Sequence, residues 1–170
     1  KEANNMTDQL AALRFLVNAK SEKGSLAGEK ALAEFYVQWR HEALVIDQWF
    51  AVQATSQRDD SLAKVRKLLK HDDFEIRNPN KVRSLIGAFC SQNLQGFHHE
   101  SGEGYEFLAN QILELDKINP QIAARLLTPL TRWKKFDSAR QALMQVQLQR
   151  IKAHSSLSKD VFEVVAKSTI

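Results

Sequence analysis

At 170 residues and a net charge of +4, the chain falls within the roughly 100–200 residues of a single domain. It is long enough to bury about 70% of its unfolded surface, so its fold requires neither a disulfide nor a structural metal. Cys90 is the only cysteine, which excludes an internal disulfide and fits a reducing cytoplasm. No apolar run approaches the ~18 residues of a membrane span, and residues 1–20 alternate polar and apolar instead of forming a signal-peptide core.

The period is helical from end to end. Thr7 to Lys20 reads as a first helix capped by Thr7, with Leu10, Leu13, Leu16 and Val17 on one side. Ser25 to Arg40 follows, its stripe formed by Leu26, Leu32, Phe35, Tyr36 and Trp39. Leu44 to Thr55 is apolar nearly all round and is expected at the centre of the fold. Ser61 to Lys70 is entered from Asp59-Asp60, whose charges suit a helix N-terminus. His71 to Arg77 reads as a loop. Pro79 opens a helix to about Ser91, Gly96 to Gly104 is a loop, and Tyr105 to Asp116 is helical. Pro120 opens a helix to about Trp133 that Pro129 should kink or split. Asp137 caps a long helix to His154, and Ser158 caps a last one through Val165 or Lys167. No stretch alternates with period two, so the expectation is an all-α fold of about eight or nine helices with no sheet.

The most specific internal signal is a repeated helix start. Asn78-Pro79 precedes Arg83, and Asn119-Pro120 precedes Arg125. The two copies are about 40 residues apart, the period of paired-helix solenoids of HEAT or armadillo type. Such a fold is a right-handed superhelix of antiparallel helix pairs with a concave binding face. Each arginine stands in an otherwise apolar helix, and desolvating an unpaired guanidinium costs several kcal/mol. Two readings stay open. The arginines pair with carboxylates inside the solenoid, with Asp47 a natural candidate as the only charge in the Leu44–Thr55 helix. Alternatively they line a cavity and meet the anionic end of a ligand, which the planar guanidinium suits.

The residues yield no catalytic constellation. His41-Glu42-Ala43-Leu44-Val45 begins like a zincin helix, but Val45 stands where the second histidine is required. His98-His99-Glu100 sits in a loop where adjacent side chains diverge. Cys90 lies on an apolar helix as a small buried thiol. No phosphate loop, dinucleotide fingerprint or nucleophile elbow is present. Basic residues cluster in Lys64, Arg66, Lys67, Lys70 and in Arg132, Lys134, Lys135; the lysines of the first run lie opposite Leu62, Val65, Leu68 and Leu69 and read as a solvated helix face. A nucleic-acid surface is the competing reading, on which the chain would be an independent α-solenoid adaptor binding protein or nucleic acid. Trp39, Trp49 and Trp133 fall on apolar faces and read as core.

Along Asn5-Met6-Thr7-Asp8, Leu44-Val45 through Asp47 to Trp49-Phe50, Gln53-Ala54-Thr55-Ser56, Asn78-Pro79-Asn80, Arg83 to Phe89, Gly104-Tyr105 and Arg125-Leu126, the chain resembles the C-terminal domain of bacterial aminopeptidase N. These enzymes are zinc-dependent alanyl aminopeptidases of four domains, the fourth a helical superhelix. The resemblance implies that residues 1–170 are most of that fourth domain, cut from a longer protein, a view that the start Lys1-Glu2-Ala3-Asn4 without an initiator methionine also suggests. It implies one zinc in the parent enzyme and none in this chain, because the H-E-x-x-H ligands and the G-x-M-E-N motif belong to the missing catalytic domain. It further implies a non-catalytic domain that caps the active site, with Arg83, Arg125 and Gln121 facing the peptide-access cavity. The partners implied are the remaining domains and peptide substrates, with neither nucleic acid nor membrane. An excised cap is expected to self-associate through the surface it once docked.

Overall fold

The structure is a computed structural model that describes residues 5–169, so the reading of the chain's start as a cut end lies outside the described residues. Every regular element among those residues is helical. They form two compact units, one ending at Gly96 and the other beginning at Phe97.

The first unit contains α1 (Met6–Val17), α2 (Glu22–Trp39), α3 (Ala43–Ala54), α4 (Ser61–Leu68) and a long broken helix. That helix starts as α5 (Pro79–Val82), widens into a π-helical segment at Arg83–Gly87, and resumes as α6 (Ala88–Gln92). The centre of the unit is α3, which packs against α1, α2, α4 and all three parts of the broken helix. A helix enclosed on so many sides must be apolar all round, and Ile46, Trp49, Phe50, Val52 and Ala54 are buried accordingly. Leu44, in its first turn, is nevertheless 72% exposed. In α2 the buried face is Gly28, Leu32 and Phe35, and Leu26 faces solvent instead of joining the stripe.

Helix starts follow side chains that accept a hydrogen bond from the first free backbone N–H groups. Asn5, not Thr7, caps α1. Asn5 is extended, and its Oδ1 accepts the Asp8 N–H at 2.9 Å, placing Thr7 in the first turn. Ser21 starts α2 earlier than the apolar stripe suggests, accepting from Gly24 N at 3.1 Å. Asp60 precedes α4 without capping it; its carboxylate lies 3.2 Å from the Arg58 guanidinium and 3.7 Å from Lys64 Nζ.

The short helix α7 (Leu94–Phe97) lies at the boundary of the units, within a stretch whose glycines suggest only loop. The second unit contains α8 (Glu103–Asp116), α9 (Pro120–Leu126), α10 (Thr128–Thr131), a 3-10 turn at Trp133–Lys135, α11 (Ser138–Lys152) and α12 (Lys159–Ser168). Its core is α8, whose Tyr105, Leu108, Ala109, Ile112 and Leu115 are fully buried and which packs against α9 and α11. Asp137 caps α11 and Ser158 caps α12. The helix opened by Pro120 divides at Pro129, which has no N–H to give the carbonyl four residues back. That carbonyl belongs to Arg125, and the Thr128 hydroxyl donates to it at 2.9 Å in place of the missing backbone bond. Further splitting at the π segment makes the helical pieces shorter and more numerous than the apolar pattern suggests.

The start of α8 rests on two glycines. Gly102 has φ of +74°, in the left-handed region. At Gly104 an added Cβ would stand 2.3 Å from the Phe97 carbonyl oxygen, a backbone atom that cannot swing aside. Gly104→Ala should therefore destabilise the chain by about 1–3 kcal/mol, the usual range for overpacking. Urea unfolding measures this, and a midpoint unchanged from the parent chain would show that the Phe97 backbone yields.

Candidate functional site

The repeated signature places one copy in each unit. Asn78 Oδ1 accepts from Asn80 N at 2.9 Å, and Asn119 Oδ1 accepts from Ile122 N at 3.2 Å. Both prolines occupy the first turn, where the missing N–H is harmless. Both caps set the phase of the helix that follows, and in both copies that phase turns the arginine to solvent.

Arg83 is exposed at the head of the π-helical segment, and its guanidinium donates to Asn80 Oδ1 one turn earlier. Arg125 is exposed in the last turn of α9, and its side chain makes no ion pair among the described residues. Gln121, in the first turn of the same helix, is also exposed. The internal pairing of the arginines with Asp47 is therefore overturned. The cation on Asp47 is Lys81, whose Nζ stands 2.9 Å from Asp47 Oδ1. The two side chains are only 9% and 14% exposed. The approach is off the line of a good hydrogen bond, leaving Oδ1 without an aligned donor, so the attraction is mainly Coulombic. The ammonium also lies 5.4 Å from the centre of the Phe50 ring. Sequence reasoning overlooked Lys81 because it precedes the apolar run. One signal was available: Lys81 is four residues before Leu85, on the face that packs against α3.

The histidines do not converge. His41 lies in the turn before α3, and Glu42 is the N-cap residue of α3 rather than part of a ligand helix. His98 Nδ1 lies 2.9 Å from the Tyr105 hydroxyl, whereas His99 Nδ1 lies 3.0 Å from Ser101 Oγ. Among the described residues no group of three His, Cys, Asp or Glu side chains is close enough to hold a metal ion. His98 is packed as a structural ring, stacked on Phe136 at 4.2 Å between centroids, while Arg140 Nε donates to its backbone carbonyl. The tryptophans are anchored by their N–H groups: Trp49 to the Leu32 carbonyl, Trp133 to the Ser168 carbonyl and Trp39 to Gln9 Oε1. Only Trp49 is fully in the core. No described helix is long and apolar enough to cross a membrane.

Comparison with known proteins agrees with this architecture. Residues 1–169 match the family model described as a domain of unknown function, DUF3458_C, with ARM repeats. Aminopeptidase N of Haemophilus influenzae is 45% identical over 166 residues, and that of Escherichia coli is 43% identical over 167. Each alignment covers 98% of this chain, and the chain spans 19% of each relative. The crystal structure of Legionella pneumophila aminopeptidase A in complex with aspartic acid superposes with a TM-score of 0.89 at 38% identity, over 97% of this chain and 19% of that one. The all-helical fold and the ARM-repeat family place the chain in the α-solenoid class.

Two measurements test these assignments. Asp47→Ala strands the Lys81 ammonium in the core and should cost about 3 kcal/mol in urea unfolding, while adding Lys81→Met should recover much of the loss. Equal stability of Asp47→Ala and the parent chain would show that the pair carries no weight. Burial, and secondarily the Arg140 charge, hold the His98 pKa below its ordinary 6.5. The folded state then binds fewer protons than the unfolded one, so stability is complete above that value and declines as pH falls through it. His98→Gln should flatten the stability profile on the acid side of pH 6.5. A profile of unchanged slope would place the acid sensitivity elsewhere.

Proposed function

Because the chain belongs to the ARM-repeat family DUF3458_C and is a C-terminal domain of aminopeptidase N, we propose that it is the non-catalytic cap of a zinc metallo-aminopeptidase that removes N-terminal residues from peptides. On this reading the zinc and the bond-breaking groups reside in the remaining domains of the same enzyme, which are also its partners. The cap closes the active site and lines the path by which peptides reach it. A lone thiol such as Cys90 fits a cytoplasmic enzyme.

One observation carries the proposal for this chain's own residues. Each unit offers one exposed guanidinium, Arg83 or Arg125, set by an Asn-Pro cap and bound to no carboxylate among the described residues. A guanidinium donates two parallel N–H bonds to a peptide's C-terminal carboxylate, and its positive field draws such peptides inward. Gln121, on the helix that carries Arg125, supplies a neutral amide for the peptide backbone. The exposed apolar side chains Phe15, Val37, Leu44 and Phe162 are consistent with surfaces that other domains cover.

In the intact aminopeptidase, Arg125→Ala should lower kcat/KM for short peptides by about tenfold, the loss expected for one charge-assisted hydrogen bond. Cleavage of an amino-acid anilide, which lacks the carboxylate, should change little. Equal losses on both substrates would make Arg125 a structural residue. In isolation the 170-residue chain should self-associate, and light scattering that shows a strict monomer at high concentration would argue that its apolar surface needs no cover.

A further inference from the structure

The first unit holds a cavity of about 470 Å³ that includes neither Arg83 nor any residue of the Asn78-Pro79 start. It lies among α2, α3, α4 and the turn after α4. Its floor is apolar: Leu32, Trp49 and Leu68, all less than 9% exposed. Its rim is cationic, carrying Lys64, Lys67 and Lys70 against one carboxylate, Glu29. Glu29 is already neutralised, since Lys64 Nζ stands 2.5 Å from its Oε1 and also 3.7 Å from Asp60. Lys67 and Lys70 make no ion pair among the described residues, so the cavity mouth keeps an uncompensated positive charge.

A further polar group on the rim is His71, held in one orientation. His71 lies against the rings of Tyr36, Trp49 and Phe50, with centroids 5.2, 5.2 and 5.7 Å away. Its Nδ1 accepts the Asp73 N–H at 3.1 Å, and the Tyr36 hydroxyl fixes the Asp73 side chain through a 2.6 Å hydrogen bond. With Nδ1 occupied as an acceptor, the neutral ring carries its proton on Nε2, which is left to donate. Gln53 turns its amide nitrogen to the Trp49 carbonyl at 3.2 Å. The free polar groups of the rim are therefore mostly donors.

An apolar pocket of this volume with a few convergent donors has the make-up of a small-molecule site. We propose that it binds a small organic anion, an apolar or aromatic body bearing a carboxylate. The body rests on Trp49, Leu32 and Leu68, and the carboxylate is held by Lys67, Lys70 and His71 Nε2–H. Two cations of the basic run on α4, Lys67 and Lys70, line this mouth, and the site gives them a ligand to hold. The proposal does not rest on the role assigned to Arg83 and Arg125, because every residue of the site lies before the Asn78-Pro79 start.

The test is calorimetric titration of the 170-residue chain with N-acetylphenylalanine and with its uncharged amide, at low ionic strength. The acid should bind saturably at one site, and the amide at least about tenfold more weakly, as loss of a charge-assisted hydrogen bond dictates. Joint replacement Lys67→Ala and Lys70→Ala should weaken the acid by a similar factor with unchanged helicity. Ala33→Trp, which fills the mouth, should abolish binding. Equal affinities for acid and amide, no saturation, or full affinity in the doubly substituted chain would each overturn the proposal. So would a single-stranded oligonucleotide that displaces the acid at lower concentration.

Discussion

Asp47 is the only charge on α3, the helix around which the first unit is built, and it can neutralise one cation. Lys81 takes that place because its long apolar stem reaches across Phe50 while its ammonium meets the carboxylate. A carboxylate at this depth without a cation, or a cation without a carboxylate, would cost several kcal/mol. Once Lys81 is fixed inward, the helical period leaves Arg83, two residues on, facing outward. The buried pair and the exposed guanidinium are thus two consequences of one helix phase. That phase is set by the Asn78 cap and Pro79.

The second unit reaches a similar presentation by other means. Asn119 and Pro120 start α9, and Pro129 ends it by withholding the N–H that the Arg125 carbonyl would otherwise receive. The Thr128 hydroxyl fills that carbonyl and stops the helix within one turn of Arg125. Both arginines therefore stand at interruptions of a helix, one at a π segment and one at a proline break. Interruptions of this kind commonly mark places where a helix meets a ligand or partner.

The all-helical class, the central position of α3, the Asp137 and Ser158 caps and the division at Pro129 were legible because each depends on local chemistry or on period alone. Other features depend on which neighbours surround a helix. Leu26 and Leu44 fit an apolar pattern yet lie at turns that no other helix covers. The choice of Lys81 over Arg83 as the partner of Asp47 turns on a rotation of about 200° between positions two apart on a helix, which an apolar stripe does not report. The anion cavity joins residues of α2, α3 and α4 that no motif links in sequence; only the positive run on α4 hinted at it. Family resemblance supplied what neither period nor charge could, namely the enzyme to which such a domain belongs.

In the role proposed for it, this helical domain shapes the space in front of the chemistry of an aminopeptidase. Whether Arg83 and Arg125 face the peptide is read directly from a structure of the intact enzyme with a non-hydrolysable peptide bound. The peptide's C-terminal carboxylate should lie within hydrogen-bonding distance, about 3 Å, of at least one of the two guanidinium groups. Both arginines buried against acidic side chains of another domain, with the peptide carboxylate elsewhere, would contradict it.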